Sequence, residues 1–185
     1  MGQYYRPISL DKLECVSPYD FDSMAKLMEH SWLPNPFVQV VETLIAEGGK
    51  WYGDRIVWGG DYADPEKDKN GNDRTFEYEG RQLPLTLYRI VSDKTIKPEK
   101  VKRPNFRYLI NMDTKEFVDY KKVPDNDGWI FHPLPYLTCE GNDRGGGDYR
   151  GDDPKGLIGK WARNRITIST KKPKDHTELV FDLTD

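Results

Sequence analysis

The chain has 185 residues, of which 32% are charged and 36% belong to the hydrophobic set, so it is polar for a globular protein and of a length that suits one domain. A formal charge of −3 gives no general pull toward nucleic acid or anionic membrane, and no run approaches the length of an apolar membrane span. Aromatic residues at 12% supply bulk for a core.

From the N-terminus, YYRPISLDKLECVSPYDF alternates apolar and polar residues about a polar centre, which predicts two short strands joined near Asp11–Lys12. A helix is expected next, capped by Asp20 or Asp22, with Met24, Leu27 and Met28 at helical spacing. Pro34 and Pro36 break it. Phe37, Val38, Val41, Leu44 and Ile45 then predict a second amphipathic helix ending at Gly48–Gly49. GKWYGDRIVWGG reads as strand entry and strand, and DPEKDKNGNDR as a loop. RTFEYEGRQLPLTLYRIV predicts a hairpin turning at Glu79–Gly80, with Leu85, Leu87, Tyr88, Ile90 and Val91 extending the core. Lys94 to Arg103 is a solvated linker. FRYLINMDTKEFVDYKKV predicts a further hairpin about Asp113–Glu116. NDGWIFHPLPYLTCEG is broken by prolines and less helical, GKWARNRITIST repeats the strand, and TELVFDL closes the chain as a short strand.

GKWYGDRI (49–56) and GKWARNRI (159–166) agree at five of eight positions. Upstream, Ile8, Asp11, Glu14 and Val16 align without a gap with Ile110, Asp113, Glu116 and Val118. Between hairpin and frame, Leu44, Glu47 and Gly48 answer Leu137, Glu140 and Gly141. Three matching blocks in one order predict an internal duplication. The expected protein is therefore a single α+β domain, 1–185, with a pseudo-repeat of 4–62 and 104–170 joined by 63–103. Each unit is a hairpin, a connecting segment and a strand, packed into one mixed or antiparallel sheet with one or two helices. Ile56 and Ile166 are expected in the core, with Trp51 and Trp161 covering the strand ends.

Arg55 and Arg165 stand at matched positions. One expectation is that each pairs with a carboxylate of its own unit; the other is that both converge on an anionic ligand. NDRGGGDYRGDD is the main candidate site. Arg144, Gly145, Gly146, Gly147, Asp148 and Arg150 combine backbone N–H groups free to approach a ligand with two flanking guanidinium groups, which suits a phosphate or carboxylate. GLIGKW is no phosphate loop of the Walker type, because Trp161 stands where Ser or Thr is needed. Asp61, Asp148, Asp152 and Glu140 would form a carboxylate cluster for a metal-dependent hydrolase if they met. Asp64, Glu66 and Asp68 have calcium-loop spacing, but Lys69 replaces the required glycine. His30, His132 and His176 lack metal-ligand spacing; His132 is read as a buried structural residue, with Glu140 as its candidate acid–base partner. Cys15 and Cys139 are read as free thiols, and neither a lipidation motif nor a leader is read at the N-terminus, so a cytoplasmic protein is expected.

The opening MGQYY, with RIVWGGDYADPE, YLTCEGNDRGGGDYRG and GKWARNRI, resembles a family of short bacterial and phage proteins over most of the chain. That resemblance carries no catalytic residue. It implies a microbial or phage origin and, by analogy with small phage proteins, a host protein as a candidate partner. The residues themselves point first to a non-enzymatic binder of a small anion, a nucleotide included, with no cofactor. The alternatives are the hydrolase above and an interaction protein that presents Tyr4, Tyr5, Trp32 and Trp129 to a partner.

Overall fold

The computed structural model describes residues 3–98, 105–141, 153 and 155–183. Its strands are β1 (Tyr5–Ser9), β2 (Glu14–Val16), β3 (Trp32–Leu33), β4 (Arg55–Gly60), β5 (Thr75–Tyr78), β6 (Arg81–Pro84) and β7 (Thr95–Ile96), followed by β8 (Tyr108–Asn111), β9 (Glu116–Asp119), β10 (Asp125–Asn126), β11 (Trp129–Phe131), β12 (Cys139–Glu140), β13 (Asn164–Ser169) and β14 (Thr177–Glu178). Helices α1 (Leu27–His30), α2 (Pro36–Ile45), α3 (Leu87–Ile90) and α4 (Pro133–Thr138) complete an α+β fold. The main sheet runs β14-β9-β8-β13-β4-β1-β2-β7. β12 adds in parallel to the far end of the β4 edge whose near end takes β13. The parallel pairs β12–β4, β14–β9 and β2–β7 make the sheet mixed.

The hairpins form as the sequence predicts. β1 pairs β2 with Ile8 opposite Cys15 and Ser9 opposite Glu14; β8 pairs β9 with Ile110 opposite Phe117 and Asn111 opposite Glu116. Leu13 and Lys115 take the left-handed conformation at the end of each turn, with φ of 51° and 54°. Ser9 faces Ile56 on β4, and Asn111 faces Ile166 on β13. The two three-stranded groups thus share one register. They join where Arg55 lies opposite Arg165 in the β4–β13 ladder.

The contacts of the repeated frame also correspond. The N–H of Trp51 donates to Leu44 O at 2.8 Å, and that of Trp161 to Leu137 O at 2.7 Å. Each indole is fully buried. Its Nε1–H finds a carboxylate, Glu14 at 3.3 Å for Trp51 and Glu116 at 2.9 Å for Trp161, so a large apolar ring is buried with its single donor satisfied. Gly49 and Gly159 precede the tryptophans where a Cβ would strike backbone carbonyl groups, of Leu44 and of Cys139 respectively.

Helices α1, α2 and α4 cover one face of the sheet. Phe37, Val41 and Ile45 of α2 and Leu134 and Leu137 of α4 join Trp51, Trp58, Trp161, Ile56 and Ile166 in one core. Asn35 starts α2 by accepting the N–H groups of Phe37 and Val38, with Pro36 in the first turn. On the opposite face a smaller cluster of Ile8, Cys15, Val57, Leu87 and Val91 lies under α3.

Four helices form among the described residues where one or two were expected. Of the helix expected from Asp20 or Asp22 through Met28, only its last part forms, as α1 (Leu27–His30). Pro18–Phe21 makes one 3₁₀ turn that Asp22 ends at φ 54°, and Met24 is 62% exposed. α2 ends at Ile45, with the extended Ala46 as its C-cap, before Gly48 is reached. The proline-broken stretch contains α4, because Pro133 occupies a first-turn position that needs no N–H donor, and His132 Nδ1 accepts the Leu134 N–H.

Candidate functional site

β4 ends in Gly59–Gly60, and the chain turns through Asp61 to Ala63. It is drawn back over α3 by the β5–β6 hairpin. Glu79 and Gly80 both have positive φ, 48° and 73°, as a two-residue type I′ turn requires. The N–H of Glu66 donates to Leu85 O and that of Arg74 to Glu66 O, which tie the hairpin base to the strand leaving the turn. Thr86 caps α3 by accepting the Arg89 N–H and so fixes the side chains of that helix. Between turn, hairpin and helix lies a pocket of about 600 Å³. Pro65, Phe76, Leu83 and Pro84 supply apolar walls; Asp61, Tyr62, Tyr88 and Arg89 supply the polar groups. A pocket of this size, mostly apolar with a few placed polar groups, is the usual form of a small-molecule site.

Its electrostatics are defined. The Arg89 guanidinium lies 5.0 Å from the centre of the Phe76 ring and forms no ion pair among the described residues. Arg6 reaches from β1 to the Tyr88 ring, 4.1 Å from its centre, and its Nε and Nη1 have no hydrogen-bond partner among the described residues. Asp61 accepts the Tyr4 N–H at 2.9 Å. Burial pushes the Asp61 carboxyl above its ordinary pKa, although that hydrogen bond and the charge of Arg6 oppose the shift. Burial likewise raises the Tyr88 phenol. The pocket lining thus carries the Arg89 guanidinium and the Asp61 carboxylate, with the Arg6 cation over the Tyr88 ring.

Arg55 and Arg165 are held by their own hairpins. Asp11 accepts the Arg55 backbone N–H at 2.6 Å and its guanidinium at 2.8 Å; Asp113 accepts those of Arg165 at 2.8 and 3.1 Å. The hydrogen bond from Arg55 holds the Asp11 carboxyl below its ordinary range. Arg144, Gly145, Gly146, Gly147, Asp148, Arg150 and Asp152 lie outside the described residues. Gly141, just before them, packs so closely on β1 that a Cβ would stand 2.7 Å from the Tyr5 hydroxyl. Of the other expected hydrolase residues, Asp61 lines the pocket and Glu140 is bound to Arg163. Among the described residues no group of three or more His, Cys, Asp or Glu is placed to hold a metal ion. Of the aromatics expected on the surface, Tyr4 and Trp129 are exposed and Trp32 is half-buried, but Tyr5 is buried.

His132 does not meet Glu140. It faces Glu42 of α2, with Nε2 3.5 Å from the carboxylate, and both side chains are fully buried. Glu140 is instead gripped by Arg163, whose Nε and Nη2 donate at 2.6 and 2.8 Å, while Nη1 donates to Glu66 at 3.1 Å. These carboxylates raise the Arg163 pKa. Arg163 sits at φ 65°, at the position where the GKWYGDRI stretch has Gly53 at φ 78°. Arg163→Ala is expected to lower stability by about 1–3 kcal/mol in urea unfolding, since two half-buried carboxylates lose a shared fork. Arg163→Gly should lose less, because glycine takes the left-handed conformation without strain.

Comparison with protein-family models, with curated proteins and with solved structures returns no match. Among the described residues no helix is long and apolar enough to cross a membrane.

Proposed function

We propose that the protein is a non-catalytic binder of a small organic anion, which it takes up in the pocket between Asp61, the β5–β6 hairpin and α3. The observation that carries this is Arg89, a pocket-lining guanidinium without an ion-pair partner among the described residues, set on an otherwise mostly apolar wall. An anion entering there would meet a fixed cation in a partly desolvated place, where charge-assisted hydrogen bonds are strong. Arg55 and Arg165 serve the scaffold in this account: each ties its hairpin to its strand. The coincident registers and paired Trp–Glu contacts support a duplicated ancestral unit as that scaffold. The pocket itself belongs mostly to the segment that joins the two copies.

Thermal melting with inorganic phosphate, aromatic carboxylates and nucleoside phosphates tests the proposal. An anion present at about one hundred times its Kd should add about 2.7 kcal/mol of stability and raise the melting temperature by several degrees. Arg89→Met, which keeps the apolar stem, should abolish that shift and leave the unliganded melting temperature nearly unchanged. An anion shift of equal size in Arg89→Met would place binding elsewhere.

A further inference from the structure

The pocket's two ring–cation pairs say something about its ligand, on the footing that the pocket takes an anion. Tyr88 lines the cavity, while Arg6, which does not, lies over the Tyr88 ring at 4.1 Å. A cation on one side of an aromatic ring draws π density toward itself. The remainder of the ring becomes a poorer host for a second cation and a better one for an electron-rich planar system. The Phe76 ring also carries a cation, Arg89 at 5.0 Å from its ring centre, and both residues line the cavity. Pro65 and Pro84 add flat, rigid apolar surface. Asp61, on the same lining, is an acceptor for N–H groups and has one oxygen already fixed by the Tyr4 N–H.

We infer that the ligand is a planar, electron-rich aromatic ring bearing both an anionic group and an N–H donor: the ring lies against Tyr88 and Phe76, the anion meets Arg89, and the N–H meets Asp61. Purine nucleotides and indole carboxylates share this chemistry. Arg6 is a positioning residue that acts through the Tyr88 ring.

Isothermal titration of the full chain with four probes separates the parts. Guanosine monophosphate and indole-3-acetate carry ring, N–H and anion; ribose 5-phosphate and inorganic phosphate carry the anion alone. At least one ring-bearing probe should bind about tenfold or more tighter than ribose 5-phosphate. Tyr88→Leu and Phe76→Leu should remove most of that advantage while leaving the ribose 5-phosphate Kd in place. Phe76 stands on the surface hairpin, so its replacement reports on binding even if Tyr88→Leu folds poorly. Arg6→Met should weaken the ring-bearing probe and spare ribose 5-phosphate. Equal affinity for ring-bearing and ring-free anions would overturn this inference and leave the anion pocket standing. Binding of none of the four would overturn both.

Discussion

Replacing His132 by phenylalanine should destabilise the fold by about 1–3 kcal/mol, which denaturant unfolding at neutral pH would measure. The imidazole and the Glu42 carboxylate face one another at 3.5 Å in the middle of the helical layer, and neither is exposed. His132 Nδ1 accepts the Leu134 N–H at the start of α4, so the proton is on Nε2, directed at Glu42. A phenyl ring of similar size keeps the volume but takes away both the Nε2–H that faces Glu42 and the acceptor that caps α4. The diagnostic is the double variant. Adding Glu42→Leu to His132→Phe should cost less than the two single losses together, because the two side chains act as a pair, whereas two independent packing defects would add. A double variant weaker than the wild type by the sum of the two single losses would show that the pair acts by packing alone.

The second large effect is acid sensitivity centred on His30. Its Nδ1 accepts the Trp58 indole N–H at 2.9 Å, its Nε2 meets Met24 O at 2.7 Å, and Phe37 packs on its ring. Both nitrogens are engaged by the neutral ring, and burial pushes its pKa from 6.5 down to about 4. Between those values the unfolded chain binds a proton that the native chain refuses. The contribution of neutral His30 is therefore complete above pH 6.5 and is lost as pH falls toward 4, by about 3 kcal/mol in all. His30→Gln should flatten the difference in stability across that window. At pH 7 it should itself cost about 1–3 kcal/mol, since the Trp58 donor loses a well-placed acceptor. Parallel urea titrations at several pH values from 7 to 4 decide it; a wild-type midpoint that holds steady down to pH 4.5 would refute the assignment.

Short-range patterns carried much of this fold into view. The alternation around Asp11 and Asp113 gives both hairpins, the GKW…RI frames give β4 and β13, and Glu79–Gly80 gives the β5–β6 turn. These features depend on neighbours within a few residues, where backbone sterics and alternation decide. Proline misled where position mattered more than identity: Pro133 starts α4 rather than excluding a helix. Asp20 and Asp22 suggested a cap, but the chain there closes in a single 3₁₀ turn and Met24 faces solvent.

The candidate site was the harder part. Tyr88 reads as part of an apolar run that extends the core, and Arg89 draws no attention, yet α3 buries Leu87 and brings the next two residues to the pocket lining. Phe76 and Asp61 are separated from them by loops whose composition says nothing of where they return. The same holds for Glu42 and His132, ninety positions apart by number, and for Glu66 and Arg163. No local periodicity encodes such meetings. The one local sign of Arg163 is its place opposite Gly53 in the aligned frames, a position where a side chain with positive φ needs a reason.

The central claim, that an anion is held between Asp61, Phe76, Tyr88 and Arg89, is tested most directly by amide chemical shifts. In a two-dimensional ¹⁵N–¹H titration with the best-binding anion, the account predicts saturable shifts at Asp61, Tyr62, Phe76, Tyr88 and Arg89, all lost in Arg89→Met. Shifts confined to residues 142–152, or centred on Arg55 and Arg165, would contradict it.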